Sequence, residues 1–338
     1  MKQKNPLPIH DQTLLSCWPD GFSRYYSVSR ILKLVFENKS LDILDVGGDS
    51  EWMYKFLNDA GLTFSLKIVD TRPPDAVNKR VEYIRKDFFK LDRSFSSDAV
   101  VNTDVLEHIP ADLKLPFIER CLEFAKSVAI FSAPQDDEDV TTAEKAINEL
   151  ITLSTGKQER WLKEHFEYGK PSAAKVQKLI EQKGYAYTVV DTNNLDNWLV
   201  TFATNLTNQH ITGVAKMDEL NRYYNSHINQ VGDFTGKPYR KIFVVFKDAT
   251  VADKIIPKIE SFFYADNSEK TTLQSKYMLE LVKAAYELQL AVRSESKKAV
   301  QLSRELDDQR AINQGMQAEL DRIFSKRWFV AINKLLGN

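Results

Sequence analysis

Between residues 41 and 135, short apolar runs rich in β-branched residues alternate with helical patterns of hydrophobic residues. The runs lie at residues 43–46, 66–69, 81–84, 98–102 and 128–132. Such alternation is typical of strands in a parallel sheet that carries helices on both faces. Two further strands are predicted at residues 185–190 and 239–246, the second of which is apolar almost throughout. The pattern therefore predicts an α/β fold with a doubly wound, seven-stranded sheet within residues 41–250, after an N-terminal helical segment at residues 1–40.

Two segments between predicted strands are too long to be simple turns. Residues 135–184 open with the acidic cluster 136–139 and continue in a helical pattern, and residues 198–237 contain a further helical pair. Insertions of this length in a compact domain are commonly lids or binding elements, so we expect them to border a substrate site. The acidic cluster could supply carboxylates to a cation, but charged loop residues usually form a solvated face, and no metal site is assigned.

After Asp248 the pattern becomes helical, with a linker helix predicted at residues 251–276 and a coiled coil at residues 277–325. From Leu281 the seam positions alternate in spacing between four and three residues, as in a heptad repeat. They are Leu281, Ala285, Leu288, Val292, Glu295, Ala299, Leu302, Leu306, Gln309, Asn313, Met316, Leu320 and Ile323. We expect a homo-oligomer, either dimer or trimer. A helix folded back as an antiparallel hairpin is the alternative, although the segment offers no turn signal apart from Gly315.

The C-terminal tail, residues 326–338, combines aromatic, aliphatic and basic side chains in a helical pattern. The aromatic residues are Trp328 and Phe329, and the basic residues are Lys326, Arg327 and Lys334. This composition is typical of an interfacial amphipathic helix that touches a membrane surface. The tail could equally close the end of the coiled coil and bury its own aromatic residues. Two or three tails on one oligomer would bind a bilayer more strongly than one, through effective concentration.

Composition narrows the class of protein. The chain has 338 residues, and its 46 lysines and arginines almost balance its 47 aspartates and glutamates, so nucleic acid is not an expected partner. Only two cysteines, Cys17 and Cys121, are present, and their separation suggests neither a disulfide framework nor a zinc site. No signal peptide or membrane span is recognisable in the sequence. We expect a soluble, cytoplasmic protein, with the tail as a peripheral contact to the inner face of the cytoplasmic membrane.

Candidate chemistry begins where the first predicted strand ends. Asp45 closes the strand, and Gly47 and Gly48 allow the backbone to approach a ligand without an intervening side chain. A dinucleotide site would require the pattern G-x-G-x-x-G, but the run Gly47-Gly-Asp-Ser-Glu-Trp52 lacks the later glycines of that pattern. The turn therefore favours a nucleoside cofactor without a phosphate, such as S-adenosylmethionine, over NAD.

Further acidic residues follow the next strands at the positions that such a ligand requires. Asp70 ends the second strand and can accept hydrogen bonds from both ribose hydroxyls. Asp87 follows the third strand, where it can accept from the adenine amino group with Phe88 beside the ring. Thr103 and Asp104 follow the fourth strand, over the expected position of the methionine moiety. Asp104 could alternatively cap the next helix.

These residues resemble the class I S-adenosylmethionine-dependent methyltransferases. The likeness is strongest over residues 41–134 and extends to about residue 248, although Asp49 and Glu51 depart from the glycine motif D/E-x-G-x-G-x-G of that family. The resemblance implies a Rossmann-like sheet whose last strand is antiparallel, and S-adenosylmethionine as cofactor. The implied cofactor contacts are Asp45, Gly47, Gly48, Asp70, Asp87, Phe88, Thr103 and Asp104.

Transfer of a methyl group to a hydroxyl requires positioning of the acceptor and removal of its proton. Two histidines are candidates for the general base. His165 lies in the first insertion, where a substrate-facing base is expected, and His108 follows the fourth strand. Each residue could instead be a packed structural histidine, and Glu107 could pair with Lys114 or Arg120.

Residues 164–185 and the C-terminal coiled coil resemble a subgroup of these methyltransferases found with bacterial surface-polysaccharide genes. That resemblance implies O-methylation of a glycan, such as an O-antigen or lipid-linked polysaccharide, as a cap on the chain end, with a glycosyltransferase as a potential partner. One alternative is a small-molecule O-methyltransferase with a quinone-like acceptor. Another is a non-catalytic scaffold in which a degenerate cofactor domain displays the coiled coil.

Overall fold

The computed structural model describes residues 8–37, 39–48, 51–73, 78–209, 214–229, 236–264, 270–325 and 327–337. The chain forms two compact units, Met1–Leu281 and Val282–Asn338. Asp49 and residues 265–269 lie outside the described residues, as do the side chains of Trp328 and Phe329.

Seven strands form one mixed sheet in the first unit. They are β1 Ser40–Val46, β2 Thr63–Asp70, β3 Val81–Arg85, β4 Ser97–Thr103, β5 Ala125–Pro134, β6 Ala186–Asn194 and β7 Pro238–Phe246. Their order is β3-β2-β1-β4-β5-β7-β6, with β1 to β5 parallel and β7 antiparallel to both of its neighbours. The predicted Rossmann-like, doubly wound sheet with an antiparallel last strand is therefore confirmed.

Eleven α-helices accompany the sheet or follow it among the residues that the structure describes. They are α1 Pro19–Phe36, α2 Trp52–Asp59, α3 Lys114–Phe124, α4 Glu138–Thr155, α5 Arg160–Tyr168, α6 Ala173–Gln182, α7 Leu195–Gln209, α8 Val214–Tyr224, α9 Ala249–Phe263, α10 Lys270–Ser325 and α11 Arg327–Leu335. Short 3₁₀ turns occur at Gln12–Ser16, Phe88–Lys90 and Leu106–His108.

The side chains of the central strands point alternately into two apolar layers, because successive strand residues face opposite sides of a sheet. Ile43 and Val101 belong to the layer formed with α1, α2 and α9. Leu44 and Val100 belong to the layer formed with α3 and α6. All four side chains are completely buried, which fixes the register of β1 and β4 and hence the position of the residues that follow them.

The two predicted insertions form a third apolar cluster of their own. Val140 and Ile147 from α4 pack with Leu162 from α5, Trp198 from α7 and Tyr239 from β7. The ring planes of Trp198 and Tyr239 are stacked, with centroids 3.9 Å apart. This cluster holds α5 beside the sheet, so the first insertion provides a wall to the cavities described below.

The acidic cluster at residues 136–139 has a structural role in starting α4. Asp137 is the N-cap and accepts hydrogen bonds from the backbone N–H groups of Asp139 at 2.8 Å and Val140 at 3.4 Å. Lys237 forms ion pairs with both Asp137, at 2.8 Å, and Asp139. The carboxylates of Asp137 and Asp139 therefore bind groups of the protein itself.

Helix α9 begins at the N-cap Asp248, whose carboxylate accepts from the Thr250 N–H at 2.8 Å. Its buried face belongs to the core of the first unit: Ala252, Ile255, Ile259 and Phe263. The segment predicted as a linker helix therefore begins with a core helix.

In the second unit, the long helix α10 ends at Ser325, the residue at which the predicted coiled coil ends. Seam residues of α10 are exposed, including Leu302 at 64% and Leu306 at 52%. Leu335 and Leu336 at the end of the tail are exposed as well. None of the described helices is both long enough and apolar enough to cross a membrane.

Candidate active site

A cavity of about 890 Å³ lies at the carboxyl ends of the parallel strands. Residues that follow β1, β2, β3 and β4 line it, and α5 closes one side. The strand order reverses between β1 and β4, and this reversal is where doubly wound sheets commonly bind ligands. The predicted residues in its lining are Gly47, Gly48, Asp70, Asp87, Phe88, Thr103, Asp104 and His108.

The turn after β1 requires glycine at two successive positions. Gly47 has a φ of +77°, and a Cβ atom there would lie 2.4 Å from Cγ2 of Val105. A Cβ atom on Gly48 would lie 1.9 Å from Oδ2 of Asp45. The Asp45 carboxylate is fully buried against Gly48 and is outside the cavity lining, so Asp45 supports the turn. Its predicted contact with a cofactor stays a prediction.

Asp70 and Asp87 both face the cavity but differ in how they are held. The Asp70 carboxylate accepts from the Arg72 backbone N–H at 2.8 Å and from the Arg72 guanidinium group at 3.3 Å. Asp87 caps the short helix Phe88–Lys90 by accepting from the Phe89 N–H at 3.0 Å, and its side chain is 41% exposed. Asp87 therefore retains acceptor capacity on the cavity side.

Phe88 is part of an aromatic cluster beneath the cavity. Its ring centroid lies 4.8 Å from that of Phe117 and 5.5 Å from that of Phe124, and the residue is 6% exposed. These contacts fix the ring and leave one part of it in the cavity wall. Phe88 can therefore contribute apolar surface to a planar ligand without moving.

Asp104 is held in the left-handed backbone region, with a φ of +53°, and its N–H donates to the Ser132 carbonyl at 2.8 Å. The buried Arg240 donates to its carboxylate from Nε at 2.8 Å and from Nη2 at 2.5 Å. Arg24 adds a third contact at 3.0 Å. Burial alone would raise the pKa of Asp104, but the guanidinium groups of Arg24 and Arg240 outweigh it and hold that pKa below its usual value.

Arg240 makes further contacts that connect separate parts of the chain. It donates to Asp20 on α1 at 3.0 Å and to the Asn193 side chain at the end of β6 at 2.9 Å. Asn193, like Asp104, has a positive φ, here 57°. Non-glycine residues with positive φ are uncommon and often mark functional sites. Arg240 was not among the site residues predicted from the sequence, where the only signal was an arginine within an otherwise mostly apolar strand.

A second cavity of about 610 Å³ lies beside the first and shares lining residues with it, including Tyr25, Asp104 and His108. Aromatic side chains dominate its walls: Trp18, Tyr25, Trp52, Trp161, Trp198, Phe202 and Tyr239. The ring centroids of Trp18 and Trp161 lie 4.8 Å and 5.4 Å from that of Phe202. The second cavity thus offers flat apolar surfaces next to charged groups.

The two histidines predicted as bases lie together at this second cavity, with ring centroids 4.8 Å apart. Nδ1 of His108 lies 2.9 Å from Oε2 of Glu164, and Nδ1 of His165 lies 2.9 Å from Oε1 of Glu144. Burial and the neighbouring His165 lower the pKa of His108 to about 4, in spite of Glu164. His108 is therefore neutral near pH 7.

Glu144 is the centre of a buried polar network. Besides His165, it accepts from Lys170 Nζ at 2.8 Å and from the Tyr239 hydroxyl at 3.0 Å. Burial would raise the pKa of Glu144, but His165 and Lys170 outweigh this effect and lower it. Neither the contact of Glu144 with His165 nor its contact with Lys170 was predicted from the sequence, because Glu144 on α4 meets these residues only when α4 packs against α5.

Glu107 has neither of the partners suggested for it by the sequence. Lys114 donates instead to the carbonyls of Leu106 and, at 2.7 Å, Ile109. Arg120 donates to the carbonyls of Phe88, at 3.2 Å, and Leu91. The Glu107 side chain is fully buried, and its carboxylate oxygens have no hydrogen-bond partner among the described residues.

No protein-family model matches this chain, and no curated protein matches its sequence. Solved structures with a similar fold include the plantazolicin methyltransferase BpumL in complex with a monoazolic desmethylPZN analog and SAH. The two sequences are 11% identical, the match covers 68% of this chain and 84% of that chain, and the TM-score is 0.43. Magnesium protoporphyrin IX methyltransferase (ChlM) from Synechocystis PCC 6803 with bound SAH matches at 14% identity over 68% and 84% of the chains, with a TM-score of 0.40. The 1,6-didemethyltoxoflavin-N1-methyltransferase of Burkholderia thailandensis matches at 13% identity over 65% and 76%, with a TM-score of 0.36. Similarity at this level carries no information about this chain's reaction or substrate.

Proposed function

We propose that this protein is an S-adenosylmethionine-dependent methyltransferase. The observation that carries the proposal is the 890 Å³ cavity at the strand-order reversal, where the bare backbone of Gly47 and Gly48 faces Asp70 and Asp87. S-adenosylmethionine presents hydroxyl and amino donors and a positive sulfonium, and carboxylates accept from the former and attract the latter. The cavity therefore matches the ligand in both hydrogen bonding and charge.

The helix that follows the turn favours a ligand without phosphate. Dinucleotide sites place a pyrophosphate at the N-terminus of the corresponding helix, where free N–H groups and the helix dipole attract anions. In this chain Glu51 is the N-cap of α2, and its carboxylate pairs with Lys55 at 2.5 Å. A carboxylate at that position repels a phosphate group but has no such effect on an adenosyl sulfonium.

The acceptor in this proposal is a hydroxyl group of a glycan, such as an O-antigen or a lipid-linked polysaccharide. The second cavity supports this assignment because Tyr25 and Trp161 line it together with His108, and all three residues also line the first cavity. Aromatic faces pack against the C–H faces of sugar rings, while polar neighbours orient the hydroxyls. His108 or His165 would accept the acceptor's proton, and the closed aromatic wall would exclude water.

The long helix supports association of several copies into one oligomer. Val292, Leu302, Leu306, Met316 and Leu320 are seam residues of α10, and each is between 46% and 64% exposed. A row of exposed apolar residues with heptad spacing is stabilised when a second or third helix covers it. In this proposal the oligomer presents several copies of α11 to a membrane surface near the lipid-linked acceptor.

Isothermal titration with S-adenosylmethionine tests the cofactor assignment. We expect binding in the micromolar range by the full-length protein, and at least a tenfold loss in the Asp70→Asn variant. Asp253→Asn is the matched control, because Asp253 is an exposed residue of α9 far along the chain from the cavity lining. Absence of binding at millimolar ligand, or equal loss in both variants, would overturn the assignment.

Transfer of a labelled methyl group tests the acceptor class. The full-length protein and labelled S-adenosylmethionine are incubated with purified lipid-linked polysaccharide and, separately, with a catechol as a quinone-like acceptor. Label in the polysaccharide that survives mild base as an ether supports the glycan assignment. Label in the catechol alone assigns a small-molecule methyltransferase, and cofactor binding without transfer to either acceptor assigns a scaffold.

A further inference from the structure

Three potential metal ligands converge at the boundary of the second cavity. Glu107 and His108 lie on the 3₁₀ turn that follows β4, and His165 lies on α5. One ligand atom from each of these three side chains lies within 4.8 Å of the other two. Ligands at about 2.1 Å from a common ion are separated by roughly 3 to 4 Å, so only a small contraction is needed to close the site around an ion.

Two of these three side chains, Glu107 and His165, have buried polar atoms without a hydrogen-bond partner among the described residues. Nε2 of His165 is buried and makes no hydrogen bond, and the same holds for both carboxylate oxygens of Glu107. A buried polar group without a partner destabilises the folded state, and native structures contain few of them. Three such atoms on two residues of one ligand cluster indicate that a ligand completes the site.

Each histidine is also oriented as a metal-bound histidine is. An ionised carboxylate only accepts hydrogen bonds, so Glu164 and Glu144 require the proton on Nδ1 of His108 and of His165 respectively. Nε2 of each ring then carries the lone pair that a metal needs. Carboxylates that bind the far nitrogen of a metal-bound histidine are a common feature of metal sites.

The network around Glu144 adds rigidity to this arrangement. Lys170 and Tyr239 both donate to Glu144, so its carboxylate cannot turn away from His165. A histidine that only filled space in the core would need neither a buried glutamate nor these additional donors. The fully buried position of Glu144 therefore indicates that the orientation of His165 matters.

We propose that Glu107, His108 and His165 bind one divalent transition-metal ion, of the class of Zn²⁺, Mn²⁺ or Fe²⁺. Two imidazole nitrogens and one carboxylate suit these ions better than Mg²⁺ or Ca²⁺, which prefer oxygen ligands. Three protein ligands leave coordination positions open, and all three residues border the second cavity. If the protein transfers methyl groups as proposed above, an open position would hold the acceptor hydroxyl and lower its pKa, and with the ion bound the two histidines would act as its ligands in place of accepting the proton themselves.

Metal binding is measured without S-adenosylmethionine, so its outcome is independent of the proposed reaction. Untagged full-length protein is stripped with a chelator, dialysed and titrated with Zn²⁺ and Mn²⁺, and bound metal is counted by mass spectrometry. We expect one ion for each chain and at least a tenfold weaker affinity in Glu107→Gln and His165→Gln. His10→Gln is the matched control because His10 is exposed and lies in the N-terminal segment.

The Glu144→Gln variant tests whether Glu144 orients His165 for metal binding or only packs against it. Glutamine keeps the volume of the side chain but accepts less strongly from Nδ1 of His165, so we expect metal affinity to fall by about 10-fold to 100-fold. Co²⁺ gives a visible absorption spectrum that reports its coordination, and this spectrum should be lost in His165→Gln and unchanged in His10→Gln. Circular dichroism establishes that each variant is folded.

Two results would overturn the proposal. One is the absence of stoichiometric metal binding by folded, stripped protein at micromolar Zn²⁺ and Mn²⁺. The other is equal binding by wild type, Glu107→Gln and His165→Gln, which would place the metal elsewhere. Cofactor binding measured in the same stripped protein shows separately whether the methyltransferase proposal holds.

Discussion

The carboxylate of Asp104 accepts two hydrogen bonds from the guanidinium group of Arg240, at 2.8 Å from Nε and 2.5 Å from Nη2. Arg240 is 1% exposed and also donates to Asp20 and Asn193, so it links β7 with β4, α1 and β6. Asp104 lines both cavities. This buried ion pair therefore determines where the end of β4 lies relative to the candidate active site.

Replacing Arg240 by methionine should destabilise the first unit strongly. The change leaves Asp104 and Asp20 with fewer partners in a buried position, and breaking a buried pair costs about 3 to 5 kcal/mol. Urea unfolding followed by tryptophan fluorescence measures the loss. Lys241→Met is the control, since Lys241 is adjacent in sequence but pairs with Asp191 near the surface, where the expected cost is under about 1 kcal/mol. Equal effects of the two changes would refute a special role for Arg240.

Stability in acid should depend on Asp104. Its pKa is lowered in the folded protein by Arg24 and Arg240, against the effect of burial, so the ionised form is favoured by folding. This contribution is fully present above the unfolded-state value of about 3.9 and is lost as pH falls through the lower folded value. The Asp104→Asn variant should therefore have a lower free energy of unfolding than wild type at pH 7. The difference in this free energy between the two proteins should decrease below about pH 3.9. Parallel pH profiles for the two proteins would contradict this prediction.

Gly48→Ala should disrupt the turn after β1. The new Cβ atom would lie 1.9 Å from Oδ2 of the buried Asp45, so either the turn or the carboxylate must shift. We expect a lower melting temperature and at least a tenfold loss of S-adenosylmethionine affinity. Gly315→Ala is the matched control, because no atom lies within 4 Å of a Cβ there and alanine favours a helix by about 1 kcal/mol. That variant should keep both properties.

Association through α10 should depend on its seam. Leu302→Asp places a charge at a seam position, where a neighbouring helix would bury it, and we expect the oligomer to dissociate in analytical ultracentrifugation. Val300→Asp changes a residue of similar exposure, 51% against 64%, that lies outside the heptad seam, and it should leave the mass unchanged. A wild-type protein that sediments as a monomer at micromolar concentration would refute the coiled-coil assignment.

The strands could be predicted because their signal is local. An apolar run such as residues 242–246 indicates a buried strand whatever its neighbours are, and the structure places it within β7. The positions of Asp70 and Asp87 were predictable in the same way, since Asp70 ends β2 and Asp87 lies two residues after β3. What a local pattern cannot provide is the partner of a residue. Asp104 and Arg240 are 136 positions apart, and only the finished sheet brings them together.

Helix α9 and the histidine cluster show the same limit. The apolar face of α9 is visible as a helical pattern, but the pattern does not say whether the core or a second chain covers it, and the core does so through Ile255 and Ile259. His165 was predicted as a base from its position in an insertion. Its contact with Glu144 depends on the packing of α4 against α5, which sequence spacing does not reveal.

Strand β7 also bears on how the protein is made. It lies between β5 and β6, both of which precede it in the chain, and β6 has no other neighbour in the sheet. Translation proceeds from the N-terminus, so β6 leaves the ribosome before β7 does. Until β7 has emerged, β6 has no strand to pair with, and Asp104 lacks its contact with Arg240. The second cavity, whose lining includes Tyr239 and Arg240, consequently acquires its final form only after the last strand has left the exit tunnel.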